Sequence, residues 1–553
     1  MSTAYERIGP APVDESALHH LVRMRDGARL ATDVYLSGKE PAATVLVRLP
    51  YDKAGEYAFL PLVAHYFVRH GYHVVTQDVR GKFRSEGETL LFVNEAADGA
   101  DTLDWVIEQP WSNGIVGMWG DSYYGYTQWA AASTSHPALR ALCPRVTGTR
   151  LGELPHDSDV MPGTWTREVE MGVHRLYPCT FFHSNDVYLW EPDWTRRPLV
   201  AEVEDFFTTV GSRSISFDQW FPEQVRLRRF PFGHPFEARP LPVLQTIGWW
   251  DNCAPWQWSD HWRLAEHQAW AHNEYLLIDA IDHENNHLLD PRGGRSADQV
   301  RAGLSAYLDP AIEFFDVFLR DLRPATSIPK VRWNLAHTEG FRTTTEWPPE
   351  GVTPVALHLR ADLSLDPEAP EAEQTLAWIH DPDNLVPSPV EDAFGFLAEY
   401  PDERAGTERE DVLAFDGTAV NADTDLVGGV GLVATVGSDG PRMDVFVRLL
   451  DVAPDGAAHL VTRGQVHVVD CAEPRRVTID LGQVGYRLRS GHRLRVQVSS
   501  SDYPEYIPQP GTGEHPWLAE KVVPNHQTLT VGGTEPAVLT IHVLPEQTSC
   551  PAG

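Results

Sequence analysis

The chain has 553 residues, which at roughly 150 residues per domain means three or four units, each able to bury its own core, and excludes a small stapled scaffold. Apolar residues make up 42% and charged residues 22%, with 18 Trp, 17 Tyr and 21 Phe, so the composition is neither disordered nor low in complexity. A net charge of −33 repels phosphate backbones and anionic lipid surfaces, so nucleic acid and membranes are not expected partners. Cys143, Cys179, Cys253, Cys471 and Cys550 are odd in number and contain no C-x-x-C pair, which argues against a disulfide framework or a thiolate metal site and for a reducing compartment. The N-terminus lacks a basic region followed by an apolar run, and no apolar stretch approaches about 18 residues. A soluble, cytoplasmic protein is expected.

In chain order, VRMRDGARLATDVYL turns on Asp26-Gly27 and reads as a hairpin. There follow ATVLVRL (43–49), a helical stretch over 57–70, YHVVTQ (72–77), a helix ending near Glu108, IVGMWG (115–120), a further helix and a strand around Leu139–Val146. This alternation predicts a mainly parallel sheet covered on both faces. Residues 150–238 are rich in aromatics, Pro and charge without strand alternation, the texture of an insertion. The sheet resumes with PVLQTIGWWD (242–251) and EYLLIDA (274–280), and a last helix is expected over Pro310–Leu322 with Asp309 as N-cap. After Trp347 period-2 runs dominate, as in Met443/Val445/Val447/Leu449, Val477/Ile479/Leu481, Leu494/Val496/Val498 and Leu539/Ile541/Val543, separated by Gly, Pro and Asp turns. They predict an all-β sandwich of the jelly-roll kind. The expected divisions are 1–149 and 239–345 for the two parts of the α/β core, 150–238 for an inserted, mainly helical lid, and 346–553 for the sandwich.

The sharpest chemical signal is Gly117-Met-Trp-Gly120-Asp-Ser122-Tyr-Tyr-Gly125, an apolar strand that runs into a serine flanked by glycines and then into a helical pattern. A nucleophile elbow needs this, because small neighbours let strand and helix approach closely enough to present a serine hydroxyl on a strained backbone. The spacing is G-x-S-x-x-G rather than the commoner G-x-S-x-G. The next N–H, that of Tyr123, lies at a helix N-terminus and can serve an oxyanion. Serine also needs a base and an orienting acid, which in this fold class follow in the order Ser, Asp or Glu, His, each just past a strand. Asp251 ends one strand and His283 follows another. His283-Glu284-Asn-Asn-His287 also matches H-E-x-x-H, a zinc-hydrolase pattern when helical. A β-like run before it, and Asp290-Pro291-Arg-Gly293-Gly294 after it, leave little room for that helix, so no metal and no cofactor are expected and His287 reads as a loop residue.

Five segments together resemble a family: Arg48-Leu-Pro50-Tyr51-Asp52-Lys53, Gln77-Asp78-Val-Arg80-Gly81-Lys-Phe-Arg-Ser85-Glu-Gly87, Gly120-Asp-Ser122-Tyr123-Tyr-Gly125, Gly248-Trp-Trp-Asp251 and His283-Glu-Asn285. They resemble the cocaine esterase-like branch of the α/β hydrolases, related to the X-prolyl dipeptidyl peptidases, and Asp381-Pro-Asp-Asn-Leu-Val-Pro387 and Pro510-Gly-Thr-Gly513 look like that family's jelly-roll domain. The resemblance implies a serine hydrolase of the α/β-hydrolase fold with Ser122 as nucleophile, His283 as base and Asp251 as its acid, and an oxyanion hole made by the Tyr51 hydroxyl with the N–H of Tyr123. Asp78 and Arg80 are assigned to structure.

Relatives that recognise a free α-amino group carry acidic residues shortly after the triad acid, whereas Asn252, Cys253, Ala254 and Pro255 follow Asp251 here. Asp157, Asp159, Glu168 or Glu170 remain as sources of one carboxylate. Trp250, Trp256 and the aromatic lid suit a neutral acyl or aryl ester. The expected function is hydrolysis of a small ester or amide through an acyl-enzyme; an acyltransferase, a peptidase or an acylase with the same triad are the alternatives, and a zinc hydrolase a remote one. A homo-oligomer is compatible with this reading. The base is expected to titrate near an ordinary histidine, roughly pH 6 to 7.

Overall fold

The structure is a computed structural model, and it describes residues 4–545 apart from 157, 159, 161–162, 227, 285–287 and 289–295. The chain divides into two compact units, the first made of Met1–Glu153, Arg175–Pro192 and Asp205–Arg332, the second of Leu154–His174, Asp193–Glu204 and Trp333–Gly553. Residues 150–238 are thus shared between the two. Among the described residues no helix is long and apolar enough to cross a membrane.

The first unit is an α/β-hydrolase core. Its strands are β1 (Leu18–Arg23), β2 (Arg29–Tyr35), β3 (Ala42–Leu49), β4 (His73–Asp78), β5 (Ser112–Asp121), β6 (Leu139–Arg145), β7 (Val243–Gly248) and β8 (Glu274–Asp279). They lie side by side in the order β1-β2-β4-β3-β5-β6-β7-β8. β1 and β2 form the antiparallel hairpin around Gly27, β2 joins β4 antiparallel, and every later pairing is parallel. Every residue of β4, β7 and β8 is buried, as expected of parallel strands covered on both faces. The covering helices are α1 (Leu60–Arg69), α2 (Glu95–Ile107), α3 (Ser122–Ala132), α4 (Ala254–Glu266) and α5 (Ala297–Phe318). Consecutive residues of β5 show the two faces: Met118 joins Leu103, Trp129 and Leu264 from α2, α3 and α4, while Trp119 meets Phe67 of α1 and Tyr307 of α5 edge-on.

The last helix departs from expectation. It starts at Ala297, where Ser296 accepts from the Gln299 N–H and Gln299 reaches back in a reciprocal capping box. Pro310 therefore sits inside the helix rather than in its first turn. Asp309 instead accepts a 2.6 Å hydrogen bond from the Tyr66 hydroxyl of α1.

Within 175–192 and 205–238 the aromatics expected to face a pocket are mostly buried against one another. Trp190 stacks on Phe206 with centroids 4.4 Å apart, and Tyr188, His183 and Phe207 complete the cluster. Their spacing carries no signal for whether a ring meets a substrate or another ring.

The second unit contains two antiparallel sheets. One pairs Thr353–Leu359, Val538–Leu544, Thr424–Ser438, Asn525–Val531 and Gln374–His380 in that order, with Arg475–Leu488 also on Thr424–Ser438; the other runs Leu413–Asp416, Arg493–Ser499, Arg442–Val452, Ala458–Val469. The period-2 apolar positions do face inward: Met443, Val447, Leu449, Ile479, Val496, Val498 and Leu539 have no exposed surface. Strand Arg442–Val452 is also buried on its other face, where Asp444 accepts from His467 and Arg448 pairs with Asp502.

Candidate active site

All the groups of the site come from the first unit, at the carboxyl ends of its parallel strands, where open α/β sheets place their ligands. Ser122 follows β5 directly and has φ = 51°, a left-handed conformation that a serine adopts only when its surroundings enforce it. The enforcement is visible in the neighbouring side chains. A Cβ on Gly120 would lie 2.1 Å from Cδ2 of Tyr124, so the Tyr124 ring occupies the space that glycine leaves, which accounts for an aromatic residue where the commoner pattern has glycine. Asp121 is clamped on both oxygens, by Arg145 Nε at 2.8 Å and by the Tyr307 hydroxyl. Thr147 Oγ1 donates to the Ser122 carbonyl at 2.6 Å. Ser122 itself is only half-buried, in keeping with a presented hydroxyl.

Tyr123 is the next residue, in the first turn of α3, where backbone N–H groups have no partner within the helix. Its side chain is anchored separately. The hydroxyl donates to Glu95 Oε1 at 3.0 Å and accepts from the Phe92 N–H at 2.9 Å.

Asp251 and His283 follow β7 and β8, and the two loops are zipped together past the ends of the strands. Trp249 N–H donates to the Asp279 carbonyl at 3.0 Å and Trp250 N–H to that of Ile281 at 3.2 Å. That approach requires the glycine of Gly248-Trp-Trp-Asp251, because a Cβ there would meet the Ile281 carbonyl oxygen at 2.6 Å. The result is a hydrogen bond of 2.7 Å between His283 Nδ1 and Asp251 Oδ1, with the carboxylate side chain fully buried. Burial alone would lower the basicity of the imidazole, yet Cys253 and Asp251 beside it outweigh that and hold it well above the ordinary histidine value. Burial in turn pushes the Cys253 thiol up to about 11. The expected pH 6 to 7 is revised upward accordingly.

Tyr51 lies just past β3, and its ring packs near Tyr57, Tyr124 and Phe181. Its hydroxyl is hydrogen-bonded to that of Tyr177. Burial pushes the phenol up to about 12, while the hydrogen bond with Tyr177 and the nearby His283 and Ser122 pull the other way. One hydroxyl therefore senses Ser122 and His283 together. The loop that carries it is pinned by buried polar groups: Arg48 reaches Gln77 Oε1 at 2.8 Å and Glu95 Oε2 at 3.1 Å, Lys53 Nζ reaches Asp33 at 2.8 Å, and the Lys53 N–H reaches Asp78 Oδ1 at 2.8 Å. Asp78 and Arg80 hold structure in this arrangement, Arg80 bridging Asp98 and Asp26.

Trp250 is half-buried, and Trp256 is buried in the first turn of α4, its Cβ closely packed over Gly148. His283 and Glu284 sit in a bend, Glu284 accepting from the Tyr57 hydroxyl at 3.4 Å; His287 lies outside the described residues, as do Asp157 and Asp159. Glu168 and Glu170 belong to the second unit, where Glu170 accepts from Trp517 Nε1 at 3.0 Å. Two residues beside the site were not singled out from sequence. Tyr177, against Tyr51, comes from a segment with no motif, and Cys253, which takes no part in the chemistry, was noted only as uncharged, although its position two residues past the acid places its sulfur within 4.8 Å of both Asp251 and His283.

Residues 26–160 match the sequence model of the X-Pro dipeptidyl-peptidase (S15) family, and residues 325–540 that of the X-Pro dipeptidyl-peptidase C-terminal non-catalytic domain. The cocaine esterase of Rhodococcus sp. (strain MB1 Bresler) is 29% identical to this chain over an alignment covering 89% of the chain and 92% of that protein. The chain thus resembles the cocaine esterase-like, X-prolyl dipeptidyl peptidase-related α/β hydrolases in both its catalytic and its C-terminal regions. It is a serine esterase or acylase acting on ester or amide bonds. The fold is shared with an aminopeptidase of a marine sediment Thaumarchaeota archaeon, at a TM-score of 0.78 and 22% identity over 97% of this chain and 98% of that one. It is shared equally with an α-amino acid ester hydrolase, at a TM-score of 0.77 and 23% identity over 96% and 98% of the two chains.

Proposed function

We propose that this hydrolase cleaves a small, neutral acyl or aryl ester through a Ser122–His283–Asp251 triad and an acyl-enzyme. The observation that carries the reading is the 2.7 Å hydrogen bond between His283 Nδ1 and the buried Asp251 carboxylate, at the same strand ends as a serine held at φ = 51°. In the proposed reaction Ser122 Oγ attacks the ester carbonyl while His283 Nε2 takes its proton. Asp251 holds Nδ1–H and stabilises the imidazolium that forms. The carbonyl oxygen, now carrying nearly a full charge, is received by the Tyr51 O–H and the Tyr123 N–H. His283 returns the proton to the leaving alcohol, and water then repeats the sequence on the acyl-enzyme.

A neutral acyl group is favoured because no carboxylate follows Asp251 to pair with an ammonium: Asn252, Cys253, Ala254 and Pro255 occupy those positions. Trp250 and Trp256 are assigned to its binding. The similarity to a protein named cocaine esterase points the same way. An amide-directed peptidase or acylase is the second reading, favoured by the S15 peptidase match over residues 26–160. A fluorophosphonate probe followed by peptide mapping tests the core of the proposal. Ser122 should carry the label, and Ser122→Ala should lose both labelling and turnover while melting as the wild type does. Retained turnover in Ser122→Ala would overturn it.

A further inference from the structure

Cys253 is a free, buried thiol that has no part in the reaction just described. Its Sγ, a carboxylate oxygen of Asp251 and a ring nitrogen of His283 all lie within 4.8 Å of one another. The carboxylate has coordination capacity to spare. Oδ1 receives both the His283 ring and the Cys253 N–H, the latter at 3.1 Å. Oδ2 accepts no hydrogen bond among the described residues, although the side chain is fully buried. A buried anionic oxygen without a donor is rare enough to call for an explanation.

Nitrogen, sulfur and oxygen donors in this number are what a tetrahedral zinc-like ion takes, with a fourth position left open. Bond lengths of about 2.0–2.3 Å place such donors about 3.5 Å apart, so the three side chains need only close on the ion by about 1 Å through rotation. Soft thiolate favours zinc or cadmium over hard cations such as magnesium or calcium.

We propose that Asp251, Cys253 and His283 form a binding site for a thiophilic divalent ion, and that occupancy of this site switches the hydrolase off. Binding forms bonds from the ion to Sγ, to the imidazole nitrogen and to the carboxylate oxygen. The S–H bond breaks and its proton leaves to solvent, as does the extra proton of the imidazole where it is charged. If Nε2 is the ligand, the base is taken directly. If Nδ1 is the ligand, the remaining ring proton must sit on Nε2, which then cannot accept from Ser122. The inhibition, though not the binding, rests on the triad reading given above.

The test is a titration of the whole enzyme with Cd²⁺ alone, followed by equilibrium dialysis, the ultraviolet thiolate-to-cadmium band and esterase activity. The wild type should bind the ion, show the band and lose activity, with recovery on adding a chelator. Cys253→Ala, which leaves the proposed triad intact, should keep basal turnover, lose the band and need at least about tenfold more Cd²⁺ for half-inhibition, as expected on removal of a thiolate ligand. Cys253→Ser serves as the second variant should alanine disturb packing. Absence of the band in the wild type, or equal sensitivity in the Cys253 variants, would overturn the site. Binding with the Cys253-dependent band but unchanged activity would uphold the site and overturn His283 as the base.

Discussion

The two sides of the site are built differently. The side holding Ser122, Asp251 and His283 is positioned mainly through backbone geometry: a left-handed φ at Ser122, the space left by Gly120, the close approach at Gly248 and two N–H bonds that zip the β7 and β8 loops, with the Arg145, Tyr307 and Thr147 side chains bracing the elbow. The side holding Tyr51 is positioned by side chains: the buried Lys53–Asp33 and Arg48–Glu95 pairs under its loop, and the Tyr177 hydroxyl against its own. Backbone placement leaves few intermediate states, because a glycine either admits its neighbour or does not. Side-chain placement is graded, since each hydrogen bond contributes separately. Substitutions on the first side should therefore act through the chemistry of the group removed, and substitutions on the second side in smaller steps.

The largest effect is expected on the backbone-built side. Asp251→Asn keeps the zipped loops and the volume but offers His283 an amide where it now has a carboxylate. By analogy with the serine protease triad it should lower kcat by about 10⁴. Rates measured on active-site-titrated enzyme check this, and a loss below about tenfold would mean that Asp251 is not the triad acid.

The pH profile examines the same pair. Because the folded value of His283 is raised, the imidazole is protonated, and unable to act as a base, below that value. The kcat/KM of the wild type should accordingly rise with pH through a midpoint above the ordinary histidine value of about 6.5. A midpoint at or below that value would contradict the influence ascribed to Asp251.

On the side-chain-built side, Tyr51→Phe removes one oxygen and almost no volume. It should leave KM and melting temperature close to wild type while kcat falls by about 10²–10³. The opposite split, a less stable protein with unaltered kcat, would make Tyr51 a core residue and leave the oxyanion to backbone donors.

The same contrast decides how much was legible in the sequence. Strand ends, glycines and the serine between them are local features, so the elbow, the α/β pattern and the inward positions of the sandwich could be read directly. Position after a strand also singled out Asp251 and His283 among 78 acidic residues and 24 histidines. Buried side-chain partners leave no such mark. Nothing local ties Lys53 to Asp33, or Tyr51 to Tyr177, because the chain between them is folded by other forces. The aromatics Tyr188, Trp190, Phe206 and Phe207 were misleading for the same reason, and the start of α5 was hidden because Pro310 is the stronger local signal while the Ser296–Gln299 box is the stronger structural one.

Tyr177 is where the graded behaviour should be smallest and most informative. For Tyr51 to give its proton to an oxyanion, its own oxygen must accept from Tyr177, so the Tyr177 hydroxyl is the donor in that pair. Donation into a phenol oxygen makes the phenol a better donor in turn, and helps counter the burial that pushes Tyr51 up to about 12. Tyr177→Phe deletes that contribution and leaves Tyr51 in place. One hydrogen bond in a buried pair is worth about 1 kcal/mol net, or about fivefold in kcat with KM unchanged. A purely packing role would lower the melting temperature instead and leave turnover per folded molecule intact. The double variant separates the two: if Tyr177 acts through Tyr51, then Tyr177→Phe should have no further effect on kcat in the Tyr51→Phe background, giving a coupling as large as the single effect. An undiminished fivefold loss in that background would place Tyr177 in direct contact with the substrate, and the Tyr51 side of the site would then hold two independent donors in place of one supported pair.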